Sequence, residues 1–186
     1  MTTQSDVLAN TRSRMGMSVE ALKRELSTIR TGRASPALVE NLTVDYYGVP
    51  TPLVQLASIS VPEARSLLIQ PWDKQGLASM EKSILKSDLG LTPNNDGDVI
   101  RLAIPPLTEE RRKELARLVR KKAEEGRIAV RNIRHDARER LRTMERTKEL
   151  SQDAREIAQE QLQKLTDSFI AQVDQVLEGK EAEVRE

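Results

Sequence analysis

The chain has 186 residues, a formal net charge of +1 and an aromatic share of 2%. The absence of cysteine excludes disulfides, thiolate metal sites and thiol nucleophiles, and a single histidine, His135, argues against a catalytic triad or a multi-histidine metal site. The carboxylates are numerous, but none lies in the apolar setting that would adapt it to acid–base catalysis. We therefore predict no enzyme activity, no catalytic residue, no metal and no cofactor.

The beginning of the sequence has neither the apolar core nor the cleavage pattern of a signal peptide. No apolar run approaches the roughly 20 residues of a membrane span. We expect a cytoplasmic monomer without membrane contact.

A heptad-like pattern predicts a first helix of about 25 residues that ends at Thr31-Gly32, because glycine is common just past a helix. Its apolar positions are Leu8, Met15, Val19, Leu22, Leu26 and Ile29. This helix has to bury that row of side chains against other helices.

Residues 31–105 have the pattern of a small, β-rich α/β domain. The predicted strands are Leu42–Tyr47, Val54–Val61, Arg65–Gln70 and Val99–Ile104, with a helix over Gln75–Leu89 and turns at Gly48–Pro50 and Pro93–Gly97. We expect the aromatic residues Trp72, Tyr46 and Tyr47 to lie in the core or on the sheet surface.

Two long helices follow Pro105-Pro106. Thr108 is a suitable N-cap for a helix that runs to about Arg146, in which Gly126 would allow a neighbouring helix to approach closely. Ser151 caps a last helix, whose apolar positions are Ala158, Leu162, Leu165, Phe169, Val173 and Val176.

These elements predict an α+β protein: a long three-helix bundle, formed by residues 1–30 and 106–186, with an α/β domain inserted at residues 31–105. Because both chain crossings into the insertion are short, we expect hinges near residues 30–35 and 105–106. The hinge residues would be Thr31, Gly32, Pro105 and Pro106.

An arginine stripe marks one face of the second long helix: Arg120, Arg127, Arg131, Arg134 and Arg138 are spaced 7, 4, 3 and 4 residues apart. Residues 111–146 carry 14 basic and 6 acidic side chains, a net charge of +8, in a chain that is nearly neutral. Arginine is suited to bidentate phosphate contact, so the stripe predicts a surface for nucleic acid. With no aromatic residue between the arginines, contact with backbone and shape is favoured over base stacking.

Other interpretations stay open at this point. A charged row on a helix is most often a solvated face stabilised by pairs such as Glu124 with Arg127 and Arg131. The segment Ile29–Pro36 fits a helix cap and linker as well as it fits a basic surface beside a hinge. His135 fits an exposed helical residue. The last helix is acidic, with a net charge of −5 over residues 153–186, and complements the basic one.

Several segments together resemble the bacterial ribosome recycling factor family. They are IRTGRASPALVENLTVDYYGVPTPLVQLASI, SDLGLTPNNDGDVIRLAIPPLTEERRKEL and AVRNIRHDARE, in the same order over essentially the whole chain. The resemblance implies an L-shaped, two-domain protein that binds the large ribosomal subunit after termination. It further implies that elongation factor G, with GTP hydrolysis on that partner, acts with it to split the post-termination ribosome.

The resemblance also assigns residues. The segment Val130–Arg134 matches the family segment that contacts ribosomal RNA, which makes Arg131 and Arg134 the main candidates. Arg112, Arg30 and Arg33 match further basic motif positions, and Arg127 and Arg138 extend the same face by geometry. His135 stands where the family often has arginine. The alternatives are a general helical RNA- or DNA-binding protein and a helical scaffold.

Overall fold

The computed structural model describes residues 2–186 and divides them into two compact units. The residues up to Arg30 and Glu109–Glu186 form a helical unit, and Thr31–Thr108 form an inserted unit. The second boundary lies three residues beyond Pro105, so Pro106 and Leu107 group with the inserted unit.

The elements follow one another as α1 (Gln4–Ser27), β1 (Thr43–Tyr46), β2 (Val49–Pro52), α2 (Leu53–Leu56), β3 (Ala57–Glu63), β4 (Ser66–Pro71), α3 (Leu77–Lys86), β5 (Pro93–Asn95), β6 (Ile100–Ala103), α4 (Glu109–Arg146) and α5 (Gln152–Arg185). Short 3-10 turns occur at Pro36–Leu38 and Lys74–Gly76. No helix within residues 2–186 has the combination of length and hydropathy that a membrane span requires.

The helical unit is a three-helix bundle, as predicted. The helix α4 runs antiparallel to both α1 and α5. Arg14 and Glu25 of α1 pair with Asp136 (3.2 Å) and Lys122 (3.3 Å) of α4, and Arg155 near the start of α5 pairs with Glu145 near the end of α4 (2.9 Å). Gly126 allows α1 and α4 to approach, since a Cβ there would lie 3.1 Å from a methyl carbon of Leu22.

The buried side chains of the bundle follow the predicted apolar rows. Met15, Val119, Val130 and Val173 are fully buried. The row on α1 begins with Val7 rather than Leu8, which is only partly buried. Burying such side chains supplies roughly 1.5–3 kcal/mol each, which is the main force that holds the helices together.

The helix ends are set by caps. Ser151 accepts a hydrogen bond from the Ala154 N–H (3.2 Å) and starts α5, as predicted. The end predicted for the first helix at Thr31-Gly32 is wrong, because α1 stops at Ser27 and the Thr28 N–H bonds to the Glu25 carbonyl. Ile29 nevertheless packs against the bundle core without being helical.

The inserted unit contains a four-stranded antiparallel sheet of order β3-β4-β6-β5 and a separate hairpin of β1 and β2. Its core is continuous, and its fully buried side chains include Val39, Val44, Leu53, Leu67, Ile69, Ile84, Ile100 and Leu102.

Three short elements of this unit differ from the predictions. The turn predicted at Gly48–Pro50 is wrong: Tyr47 and Gly48 both have positive φ, as in a two-residue hairpin turn, so Val49 and Pro50 belong to β2. Val54 does not begin a strand, because Leu53–Leu56 form one helical turn that buries both of its leucines.

The third difference is at Pro93–Asn95, which form the edge strand β5 instead of a turn. The turn lies further on, where the Asp96 carboxylate accepts hydrogen bonds from the N–H groups of Asp98 and Val99. Similarly, α3 ends at Lys86 instead of Leu89, because Ser87 adopts an extended conformation.

Candidate nucleic-acid interface

The arginine stripe lies along the edge of α4 that borders α5. Arg120 donates to Glu181 at 2.5 Å, Arg127 to Asp174 at 2.6 Å and Arg134 to Gln163 at 3.3 Å. The stripe therefore runs beside an acidic helix, and the neighbouring side chains of α5 decide how much of each arginine remains available.

Arg120 and Arg127 are the clamped arginines, since each pairs with a carboxylate of α5. Only 20% of the Arg127 side chain is exposed, and its Nε and one terminal nitrogen both donate to the same oxygen of Asp174 (2.9 and 2.6 Å). Its other terminal nitrogen donates to Glu124 at 3.0 Å. The hydrogen bonds that Arg127 donates to Asp174 raise the pKa of Arg127 above its already high ordinary value.

Arg131, Arg134 and Arg138 are the outer arginines. Arg131 is exposed and donates to Glu124 at 3.2 Å. Hydrogen bonds from Arg127 first, and from Arg131, lower the pKa of Glu124 below its ordinary value of 4.5, so this carboxylate is charged at neutral pH. Glu124 thus stands between the clamped and the outer arginines.

Arg134 and Arg138 border a groove of about 480 Å³ between α4 and α5, which Glu156, Glu160 and Gln163 also line. Within residues 2–186, neither arginine has a carboxylate at ion-pair distance. Such cations, on a rigid helix, can accept phosphate oxygens as charge-assisted hydrogen-bond partners.

A profile of the ribosome recycling factor family matches residues 22–184. The ribosome-recycling factor of Syntrophomonas wolfei is 55% identical over 97% of this chain and 98% of its own length, and that of Geobacillus kaustophilus is 56% identical over 97% of both chains. The chain belongs to the ribosome recycling factor family.

Two solved structures of the family have the same fold. A solution structure of a ribosome recycling factor is 43% identical, with a TM-score of 0.74, over 98% of this chain and 97% of the other. The second is the T. thermophilus ribosome recycling factor, in a structural model of that factor and E. coli elongation factor G bound to the E. coli post-termination complex. It is 49% identical, with a TM-score of 0.66, over 98% of both chains.

The remaining basic motif residues lie outside the stripe. Arg112, in the first turn of α4, is half-buried, and one terminal nitrogen lies 3.4 Å from the Glu186 carbonyl oxygen. Its buried Nε has no hydrogen-bond partner among the described residues. Arg30 is exposed just beyond α1, and Arg33 is exposed in the inserted unit. Arg30 and Arg112 belong to the same end of the bundle, because α1 and α4 are antiparallel.

The residues predicted as hinges lie in irregular segments. Thr31 is buried, and Gly32 has φ +77°, a conformation that favours glycine; a Cβ there would lie 3.1 Å from Leu107 Cγ. Pro105 and Pro106 are exposed between β6 and α4.

His135 is exposed on α4, as expected for the simpler interpretation of that residue. In the part of the chain that the structure describes, no group of three or more His, Asp or Glu residues is arranged to hold a metal ion.

Two aromatic side chains of the inserted unit, Trp72 and Tyr47, are exposed. Trp72 is 72% exposed, although core or sheet-surface positions were predicted for the aromatic residues. Tyr47 is exposed on the hairpin turn, where its hydroxyl donates to Gln75 (2.9 Å) and lies 3.3 Å from Asp73. Asp73 also accepts a bond from the Tyr46 hydroxyl, and the Gln75 N–H is the main cause that lowers the pKa of Asp73.

Proposed function

We propose that this chain is a translation factor that binds ribosomal RNA of the large subunit after termination and, with elongation factor G and GTP, splits the post-termination ribosome. The observation that carries the proposal is the family match over nearly the whole chain, together with a row of arginines on one rigid helix. The relative seen with elongation factor G on a post-termination complex supports the same partners.

The proposed RNA-binding surface is centred on the outer arginines, Arg131, Arg134 and Arg138. They lie within two turns of one helix, and phosphate contact by arginine needs no base identity. Arg127 adjoins this surface, but its donors are used by Asp174 and Glu124, so its contribution is to hold α4 against α5. Arg30, Arg33 and Arg112 supply further positive charge in the motif segments.

The chain itself would act mechanically and carry no catalytic group, with GTP hydrolysis on its partner. The segments around Thr31-Gly32 and Pro105-Pro106 would bend when the partner acts on the inserted unit. Short irregular segments without helix or strand are suited to this role because they can change φ and ψ without breaking a core.

Subunit splitting tests the proposal directly. Light scattering of post-termination ribosomes is followed after adding the protein, elongation factor G and GTP, singly and together. A fall in scattering only with all three is expected. Large-subunit binding without splitting would point to a different partner. The absence of binding would show that the proposed ribosomal function is wrong.

The alternative is a general helical binder of duplex nucleic acid, since the outer arginines contact phosphate without reading sequence. Competition separates the two functions: duplex RNA in excess should not displace the protein from large subunits if the recycling function is correct. Affinity should fall steeply with salt in both cases, whereas a helical scaffold would show little salt dependence.

A further inference from the structure

Glu124 has a position that the proposed function does not explain. Among the ion pairs within residues 2–186, it supplies the only carboxylate bound to an outer arginine, at 3.2 Å from Arg131. Arg134 faces the neutral Gln163 instead. Arg131 reaches back seven residues, two helical turns, to make this pair.

We propose that Glu124 is a positioning residue that holds Arg131 and competes with an RNA phosphate for its guanidinium, so that it limits the affinity of the arginine stripe for RNA. The proposal rests on the proposed function, because it requires Arg131 to contact RNA. When RNA is absent, the Glu124 carboxylate would pair with Arg131 in place of a phosphate. When RNA is bound, it would be a negative charge close to the bound phosphate.

The geometry supports competition rather than a purely structural role. Both side chains of the Glu124–Arg131 pair are 50% exposed, so the pair is open to exchange with an incoming anion. Arg127, the other partner of Glu124, keeps two donors on Asp174, at 2.6 and 2.9 Å. Removing the charge of Glu124 should therefore release Arg131 and leave the contact between α4 and α5 in place.

The adjacent residue provides a matched control. Glu125 is on the same helix and equally exposed, at 49%, but it pairs with Lys122 on the side of α4 that faces α1, where Lys122 also meets Glu25. Glu124→Gln and Glu125→Gln therefore change the net charge of α4 equally, and only the first touches the stripe.

The experiment measures the Kd of the full-length protein for purified large ribosomal subunits at several salt concentrations. Glu124→Gln should bind about 3- to 5-fold more tightly at low salt, with a gain that shrinks as salt screens the charge. Glu125→Gln should change the Kd by less than about 1.5-fold, because its carboxylate lies away from the stripe.

Arg131→Gln identifies the path of the effect. In that background Glu124→Gln should give no gain beyond that of Glu125→Gln, since two residues that act through one contact are not additive. A merely structural role for Glu124 would lower the melting temperature without this coupling.

The two proposals can fail separately. If Arg131→Gln leaves the Kd unchanged, the proposed RNA-binding surface is wrong, and with it the inference. If Arg131→Gln weakens binding while Glu124→Gln binds no more tightly than the wild type, or gains no more than Glu125→Gln, the competition is wrong and the surface stands.

Discussion

The clamped and the outer arginines are the same residue type on the same edge of the same helix, yet their surroundings differ. Arg127 is four-fifths buried between Asp174 and Glu124, whereas Arg138 is exposed with no carboxylate at pairing distance among the described residues. The difference comes from α5, which brings Glu181 and Asp174 to pairing distance of Arg120 and Arg127. Arg134 instead donates to Gln163, and the acidic residues of α5 that line the same groove lie beyond pairing distance. The function of an arginine here depends on the neighbouring helix more than on its own position.

The largest effect is expected from the outer arginines. Replacing both Arg131 and Arg134 by glutamine should weaken binding to large subunits by at least about 100-fold, because each charge-assisted contact contributes about 1.5–3 kcal/mol. Thermal stability should change little, since Arg131 is exposed and the half-buried Arg134 donates only to the neutral Gln163. Equilibrium binding and a melting curve of the same sample measure both quantities.

Arg111→Gln with Arg140→Gln is the control, since it removes two exposed arginines from the opposite side of the same helix. A similar loss of affinity in this control would show that overall charge, not the stripe, drives binding. A large fall in the melting temperature of the first variant would make the outer arginines structural.

Arg127, the more buried of the two clamped arginines, should affect stability instead. Arg127→Gln should lower the free energy of unfolding by about 1–2 kcal/mol, because it leaves the carboxylates of Asp174 and Glu124 without the largely buried guanidinium that pairs with both. Urea denaturation measures the change. Arg120→Gln, whose side chain is 67% exposed, should cost less than about 0.5 kcal/mol. If Arg120→Gln lowered the free energy of unfolding more than Arg127→Gln, then Arg120 would be the arginine that holds α4 against α5.

The sequence was sufficient to predict the bundle, because long apolar rows with a heptad-like spacing can be buried in few ways. The start of α4 after Thr108, the cap at Ser151 and the close approach at Gly126 followed from single residue types. The elements that were missed, α2, β2 and β5, have three or four residues each, too few for a periodicity to be recognised.

The division of the stripe was not predictable in the same way. The basic and acidic charges of the two helices were visible in the sequence, and their pairing was expected. Which carboxylate meets which arginine depends on how α5 is rotated and shifted along α4, and buried side chains such as Leu162 and Val173 set that register. The exposure of Trp72 likewise depends on where β4 ends relative to the sheet.

Gln163 offers a way to convert an outer arginine into a clamped one. Gln163→Glu places a carboxylate where the amide oxygen now lies, 3.3 Å from Arg134, and should weaken large-subunit binding about 3-fold through competition for that guanidinium. Little change in stability is expected, because the attraction of the new carboxylate to Arg134 is offset by its repulsion from Asp167, which now accepts a bond from the Gln163 amide.

Gln175→Glu adds the same charge to an exposed position of α5, about 120° around the helix from Gln163. It should leave the Kd nearly unchanged, and both variants are compared in one binding assay. Equal weakening by the two would mean that the charge of α5 acts at long range and that the individual neighbour of Arg134 is unimportant.

The smallest effect is expected on stability at Glu124, which pairs with both a clamped and an outer arginine. Its pKa is lowered in the folded protein, chiefly by the hydrogen bond from Arg127, so folding favours its charged form. The stabilisation it gives is therefore complete above its ordinary pKa of 4.5 and is lost as the pH falls through the lower folded value. Urea denaturation at neutral pH and near pH 3 should show the wild type losing its small advantage over Glu124→Gln on acidification. A difference that stayed constant or grew in acid would mean that Glu124 contributes to stability through its shape, and that its charge serves only the outer arginines.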